Sequence, residues 1–283
     1  MRLFVLILLL LALPLNPVCK AEEERHCVEM LCLNVGKADC ILLHIDEAYY
    51  LIDAGYKRTS DRMLEMLAHE GVERLNGVFL THNHKDHYGG LPALTATSIP
   101  IDAFYAPVYC IDGTGSKHPA VVAAARRGQT ARFLASGDTI EVSETSKIEI
   151  IGPTKLDKSN ENNNSLVMRV ETPEGSILLT GDMKFDEEYC LITAGLLKPA
   201  DVLKVAFHGD NTATSSPFLS AVKPRVGIIS TSSKEEKDTP AKDTLYRLAS
   251  TGCKIYVTQD AVSAVRITLK DGKTDVQMEN WQQ

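Results

Sequence analysis

Along the chain, short apolar runs rich in β-branched residues recur at Cys27 to Val35, Cys40 to His44, Tyr49 to Ile52, Gly77 to Leu80, Ile148 to Ile151, Ser165 to Val170 and Ser176 to Thr180. A second set follows at Val202 to Ala206, Val226 to Ile229, Lys254 to Val257 and Ala264 to Leu269. These runs have strand length and strand composition, and each is predicted to be a strand. Between them, helical patterns fall at Ser60 to Glu70, Gly90 to Thr95, Pro119 to Ala125, Asp186 to Ala194, Pro217 to Val222 and Ala241 to Ser250. Each half is strand-rich early, with helices following. That order suits an α/β chain in which two sheets pack face to face with helices outside, and loops at one end carry the chemistry. The polar stretches Lys155 to Asn164 and Ser232 to Pro240 are expected to be surface loops.

The first residues break this pattern. Arg2 precedes an apolar run from Leu3 to Leu15, small residues lie between Pro17 and Ala21, and the acidic stretch Glu22-Glu23-Glu24 follows. Residues 1–21 are therefore expected to be a secretory signal peptide, and residues 22–283 a single domain. An uncleaved N-terminal membrane anchor is the alternative, and either route places the protein outside the cytoplasm. No later segment approaches the roughly 20 apolar residues of a spanning helix, so no membrane contact is expected after cleavage.

Composition narrows the classes of partner. The chain of 283 residues carries 30 Lys and Arg against 37 Asp and Glu, and loss of Arg2 and Lys20 with the signal peptide would leave 28 basic residues, a net charge of −9. An acidic surface is a poor clamp for a polyanion, so a stable grip on duplex DNA is not expected. Six cysteines remain after residue 21, with no CxxC pair. Export permits disulfides, but no pairing is assigned.

The candidate chemistry lies in the run His82-Asn83-His84-Lys85-Asp86-His87, directly after the predicted strand Gly77 to Leu80. Residues two apart in extended chain face one way, which puts His82 and His84 side by side to share a metal. Asp86 and His87, where the chain turns toward Gly89-Gly90, can serve a second ion. Imidazole with carboxylate suits zinc and accepts manganese. Four ligands from one loop cannot enclose two ions, and two later fragments can complete the site. Asp182 follows a strand through Gly181, which permits a tight turn that aims the carboxylate inward. His208 ends the strand Val202 to Ala206, with Gly209 after it to permit close approach to the site. Lys204 could face the cleft to hold an anion, or be structural. The stretch around Ser215 could line the site or cap the following helix. His118, before Pro119, is read as a surface or capping residue, and Gly36-Lys37 lacks the frame of a phosphate loop.

With these residues in place, the order Leu51-Ile52-Asp53-Ala54-Gly55, the HxHxDH run, Thr180-Gly181-Asp182 and Phe207-His208-Gly209 resembles the metallo-β-lactamase superfamily. The branch it most resembles is the extracytoplasmic hydrolase domain of the competence protein ComEC, in Leu33 to Cys40, Asn162 to Val167 and Asp201 to Val205. The resemblance implies a four-layer αβ/βα sandwich with a di-metal site at one edge. It implies His82 and His84 on the first metal, Asp86, His87 and His208 on the second, Asp182 between them, and Asp53 orienting the ligand loop through hydrogen bonds. Two positions depart from the wider family. Asn162, Asn163 and Asn164 stand where many members have a third histidine for the first metal, as in the ComEC-like branch. Phe207 stands where that branch usually has another histidine, and is expected to replace a contact to substrate or to a ligand.

The expected function is an exported hydrolase with two divalent ions, zinc or manganese, whose metal-bound hydroxide attacks a phosphodiester while Asp182 or Asp86 accepts the proton. Expected substrates are small-molecule or short nucleic-acid phosphodiesters. Two rivals are a β-lactam, lactone or thioester hydrolase, and a non-catalytic binding module of the same fold. Nothing in the sequence sets an oligomeric state.

Overall fold

A computed structural model describes residues 28–109 and 117–281. The expected signal peptide lies outside the described residues, as do Cys27 and Cys110. The first half runs β1 (Val28–Leu33), β2 (Ile41–Ile45), β3 (Ala48–Ile52), α1 (Ser60–His69), β4 (Gly77–Phe79), α2 (Lys85–Tyr88), α3 (Leu91–Ala96), β5 (Phe104–Pro107), α4 (Pro119–Arg126) and β6 (Arg132–Leu134). The second half runs β7 (Thr139–Glu141), β8 (Lys147–Gly152), β9 (Val167–Thr172), β10 (Gly175–Leu179), α5 (Phe185–Thr193), β11 (Val202–Lys204), α6 (Ser216–Val222), β12 (Val226–Ile229), α7 (Lys242–Ser250), β13 (Lys254–Val257), β14 (Ala264–Lys270) and β15 (Lys273–Glu279). One sheet has the order β15-β14-β1-β2-β3-β4-β5-β6, and the other β13-β12-β11-β10-β9-β8-β7.

Alternation along the strands sorts side chains into three apolar layers. Met30, Leu43, Ile52 and Phe79 of the first sheet meet Ile148, Met168, Ile177 and Ile228 of the second between the sheets. Leu31, Leu42, Leu51 and Val78 face the other way, onto Met63, Leu67, Leu94 and Ala124 of α1, α3 and α4. Leu178, Leu203 and Ile229 face Leu191, Phe218 and Leu248 of α5, α6 and α7. The result is the expected αβ/βα sandwich, with an apolar interior in each of three layers. No helix among the described residues is long and apolar enough to cross a membrane.

All eleven predicted strands and six predicted helices are present, within two residues or so at their ends. Four strands have no counterpart in the prediction. In β6 and β7 the runs are three residues long and mostly exposed, and β15 alternates with charged residues as an edge strand. The run in β5 is fully buried, but it carries Phe, Tyr and Pro rather than aliphatic residues. Cys32, Cys40, Cys190 and Cys253 are free thiols.

Candidate metal centre

The site gathers at one edge of the sandwich, where strands of both sheets end. Asp53 follows β3, the histidine run follows β4, Asp182 follows β10 and His208 follows β11. Gly181 turns there with φ +50, and a Cβ on it would meet Ser165 Cβ at 2.8 Å, so only glycine allows this approach. Ser165 Oγ then accepts from Asp182 N at 3.0 Å and holds the turn. Gly209 serves a different purpose from the one expected. A Cβ on it would meet Ile229 and Pro240, so it makes room for neighbouring core rather than for the site. Asp86 and His87 belong to the single turn of α2, which begins at Lys85, earlier than the sequence suggested.

Asp86, His87, Asp182 and His208 each present a ligand atom within 4.8 Å of the others. Asp182 Oδ2 lies 3.3 Å from His87 Nε2 and 3.4 Å from His208 Nε2, while Asp86 Oδ2 lies 3.5 Å from His208 Nε2 and 3.9 Å from His87 Nε2. Ligands at the zinc bond lengths of roughly 2.0–2.2 Å would stand about 3.4 Å apart at tetrahedral corners. The spacing fits one cation.

Hydrogen bonding agrees. His87 Nδ1 donates to Asp53 Oδ2 at 2.7 Å, and His208 Nδ1 donates to the Ser230 carbonyl at 2.9 Å. Because a carbonyl can only accept, His208 carries its proton on Nδ1, and a neutral ring then turns the Nε2 lone pair toward the cluster. His87 Nε2, His208 Nε2 and Asp182 Oδ1 are buried and have no hydrogen-bond partner. Buried polar atoms left unpaired together are what a cation would satisfy. Asp53 is itself held by Thr81, whose N and Oγ1 donate to its two carboxylate oxygens at 2.8 and 2.7 Å. Asp53 thus holds His87 by a hydrogen bond and is not one of the four converging residues.

The electrostatics demand positive charge. Burial by itself lowers the basicity of His208, but Asp182 and Asp86 outweigh it and push the imidazole up to about 9. His87 is also buried, and Asp182 and Asp53 raise it well above the ordinary histidine value. Burial raises the two carboxylates, but the histidines overcome it, holding Asp86 at about 2 and Asp182 well below the usual range. A divalent ion would supply the charge that these protons supply in its absence.

The other histidines are arranged differently. His82 Nε2 lies 2.8 Å from His84 Nδ1, side by side as expected, and 3.8 Å from Asp182 Oδ2. Asp182 therefore stands within reach of both sets. Asn163 is committed elsewhere, accepting from Lys184 N at 2.9 Å and donating to Asp157 at 2.7 Å, and Asn164 is bonded at both ends to the same turn. Asn162 Oδ1 is buried and unpaired, so it is the asparagine oxygen left for a cation.

Three expected substrate contacts resolve separately. Lys204 is 1% exposed and donates to Asp39 Oδ2 at 2.9 Å, so it does not line the cleft. Its place on β11 points it between the sheets, where only an acidic partner makes an ammonium tolerable. Ser215 caps α6, accepting from Phe218 N at 3.3 Å, while its own N donates to Glu188, so its side chain serves the helix cap. Phe207 is half-buried beside His208, with Lys37 and Lys184 near its ring. His118 caps α4 as read, but is buried rather than on the surface. Asp39 was not singled out as a site residue. It lies 4.0 Å from His208 Nδ1, and its signal was an acid just before β2 paired with a lysine inside β11. Asp39, Asp53 and His87 form a second close group, in which Lys204 serves Asp39 Oδ2 and Thr81 serves Asp53, while Asp39 Oδ1 is buried without a hydrogen-bond partner.

Comparison with known proteins decides the family. The profile of the Metallo-beta-lactamase superfamily matches residues 33–233. The chain belongs to this superfamily. It is similar to Competence protein ComA of Neisseria gonorrhoeae, with 26% identity over 246 residues, 86% of this chain and 33% of that protein. It is also similar to Ribonuclease J 2 of Staphylococcus epidermidis, with 27% identity over 155 residues, 52% of this chain and 26% of that protein. The chain thus spans a third or less of the length of these relatives. Among solved structures, the metallo-beta-lactamase fold protein YhfI of Bacillus subtilis matches with a TM-score of 0.55 and 12% identity, covering 89% of this chain and 100% of that one, a likeness of fold. The superfamily hydrolase and its ComEC-like relationship stand on these matches together with the four converging ligands.

Proposed function

We propose that the protein is an exported di-metal phosphodiesterase acting on short nucleic acids or smaller phosphodiesters. The observation that carries this reading is the convergence of Asp86, His87, Asp182 and His208, with His87 Nε2, His208 Nε2 and Asp182 Oδ1 buried and without a hydrogen-bond partner. His87, His208, Asp86 and Asp182 would hold one ion, and His82, His84 and Asp182, with Asn162 in place of a third histidine, would hold the other. Bound divalent ions, zinc or manganese, would supply a water acidified to near neutrality and neutralise charge on the attacked group.

The chain's own residues prepare the rest. With the imidazoles neutral, Asp39, Asp53, Asp86 and Asp182 against Lys204 leave three negative charges uncompensated, so two divalent ions turn the centre positive by one. A centre of that sign favours an anionic ester over a neutral amide or lactone. Asp86 keeps 21% of its side chain exposed at the rim, so a proton taken at its carboxylate can pass to solvent. Asp182, 1% exposed, keeps its place through the hydrogen bond from its N to Ser165 Oγ. Similarity to Ribonuclease J 2 supports phosphodiester cleavage, and the leader-like pattern from Arg2 to Ala21 supports export.

The test is turnover by protein reconstituted with zinc and with manganese on bis(4-nitrophenyl) phosphate and on nitrocefin, beside Asp86→Ala and His208→Ala. Phosphodiester cleavage abolished in both variants is expected. Cleavage of nitrocefin alone would move the reading to a β-lactam hydrolase, and fewer than one bound ion per chain would move it to a binding module.

A further inference from the structure

Next to the four ligands stands a feature that the metal centre does not use. Phe207 and His208 are consecutive non-glycine residues in the left-handed region, with φ 47 and 54. L residues avoid this conformation and keep it where surroundings demand it. It leaves the Phe207 ring half-buried beside His208. Two ammonium groups reach that ring from different sheets. Lys37, in the turn between β1 and β2, lies 5.7 Å from the ring centroid, and Lys184, two residues after Asp182, lies 5.0 Å from it. Both distances are within range of a cation–π interaction.

Neither lysine is there as half of a tight ion pair. Lys37 Nζ has Glu236 at 3.5 Å, a loose and partly buried pairing. Lys184 Nζ has no carboxylate within 4 Å among the described residues, while its backbone N is anchored on Asn163 Oδ1 at 2.9 Å. In a chain of net charge −7, two cations gathered round one aromatic ring beside a metal cluster form a local exception.

We propose that Lys37, Phe207 and Lys184 form a recognition wall for the nucleotide next to the scissile bond of a short unpaired strand. The ring stacks on the base and the ammoniums meet its flanking phosphates. Stacking needs a base free of a partner, which a duplex does not offer. With only two cations and an acidic surface beyond them, the wall serves a few nucleotides and no more. The proposal rests on the phosphodiester reading for the identity of the substrate, but its binding step does not depend on turnover.

The experiment measures fluorescence anisotropy of a labelled phosphorothioate hexathymidylate on the metal-loaded protein across a salt series. The proteins compared are wild type, Lys37→Gln/Lys184→Gln, Phe207→Leu, Phe207→Tyr, and Lys270→Gln as a charge control on the far end of β14. The double lysine variant is expected to bind about tenfold more weakly, and its log–log salt slope to fall by about 1.4, at roughly 0.7 for each phosphate no longer neutralised. Phe207→Leu is expected to weaken binding roughly five- to a hundredfold with the slope kept, and Phe207→Tyr to restore it. Circular dichroism establishes that each variant is folded.

The proposal is overturned if the wild type does not bind the strand, if the lysine and Leu variants bind as the wild type does, if a duplex of the same sequence binds equally well, or if inorganic phosphate competes as strongly as thymidine monophosphate. Turnover of bis(4-nitrophenyl) phosphate in the same preparations separates the two readings. Turnover without wall-dependent binding removes the wall alone, and wall-dependent binding without turnover removes the reaction alone.

Discussion

The two halves of the histidine run, six residues long, are built on opposite plans. Asp86 and His87 sit on a helical turn, and each finds a complementary group from the second sheet, so that four ligand atoms converge on one point. His82 and His84 sit on extended chain and meet chiefly one another, with Asp182 Oδ2 3.8 Å from His82. Long-range neighbours supply half the ligands of the first set. At the position where the family resemblance implies a third histidine for this pair stands an asparagine turn, in which Asn162 Oδ1 is buried and without a hydrogen-bond partner. A shared loop therefore supplies one closed ligand set and one open set, and the open one is where a metal should exchange more readily.

Asp182→Ala is the severest way to break this contrast, because Asp182 is within reach of both sets. Phosphodiesterase activity should fall about a thousandfold or more, and elemental analysis should show loss of metal from both sites. Retention of two ions would remove its bridging place.

A large effect of another kind is expected at the floor. Lys204→Met strands Asp39 as a buried charge and should cost about 3–5 kcal/mol in denaturant unfolding. Adding Asp39→Leu should recover most of that. If the double variant stays as unstable as the single one, the pair matters through packing and not through charge.

The contrast itself is sharpened by Asp53→Ala and His84→Ala. Without its partner, His87 should lose its fixed orientation, weakening the tighter metal about 10–100-fold in a competition titration with a chelator. His84→Ala should leave that tighter ion in place and lower the stoichiometry toward one. Equal loss from both variants would mean that the two sets are not separable.

The smallest effect belongs to the asparagine turn. Hydrogen bonds from Asn163 and Ser159 hold the Asp157 carboxyl down at about 2, against an ordinary value of 3.8. A depressed carboxyl adds stability above its unfolded value, and that contribution is lost as pH falls through its folded value. Acid unfolding between about pH 4 and pH 2 should therefore be slightly less steep in Asp157→Asn. Because this carboxylate is only partly buried, solvent screening keeps the change small.

Legibility in the sequence followed locality. Strands such as β2 and β12, in which Ile, Leu and Val dominate, declare themselves through their own side chains, whereas β5, β6, β7 and β15 become strands because a neighbouring strand offers hydrogen bonds. The ligands were legible because histidine and aspartate cluster where a strand ends. The fates of Lys204 and Ser215 were not. A lysine inside a strand has the same local sequence whether it faces a cleft or a buried acid, and Asp39 lies 165 residues away.

By itself the sequence determined which residue types could bind metal, the strand and helix order that brings them to one edge, and the superfamily that this order marks. Tertiary structure decided which of those residues share a point in space. It set the tautomer of His208 through the Ser230 carbonyl, made Lys204 a buried counter-charge, and brought Lys37 and Lys184 to the ring of Phe207. The reason is physical. Periodicity and composition report each residue's own neighbours along the chain, but charge compensation and ligand geometry depend on atoms brought together by packing two sheets, and no local pattern encodes those distances.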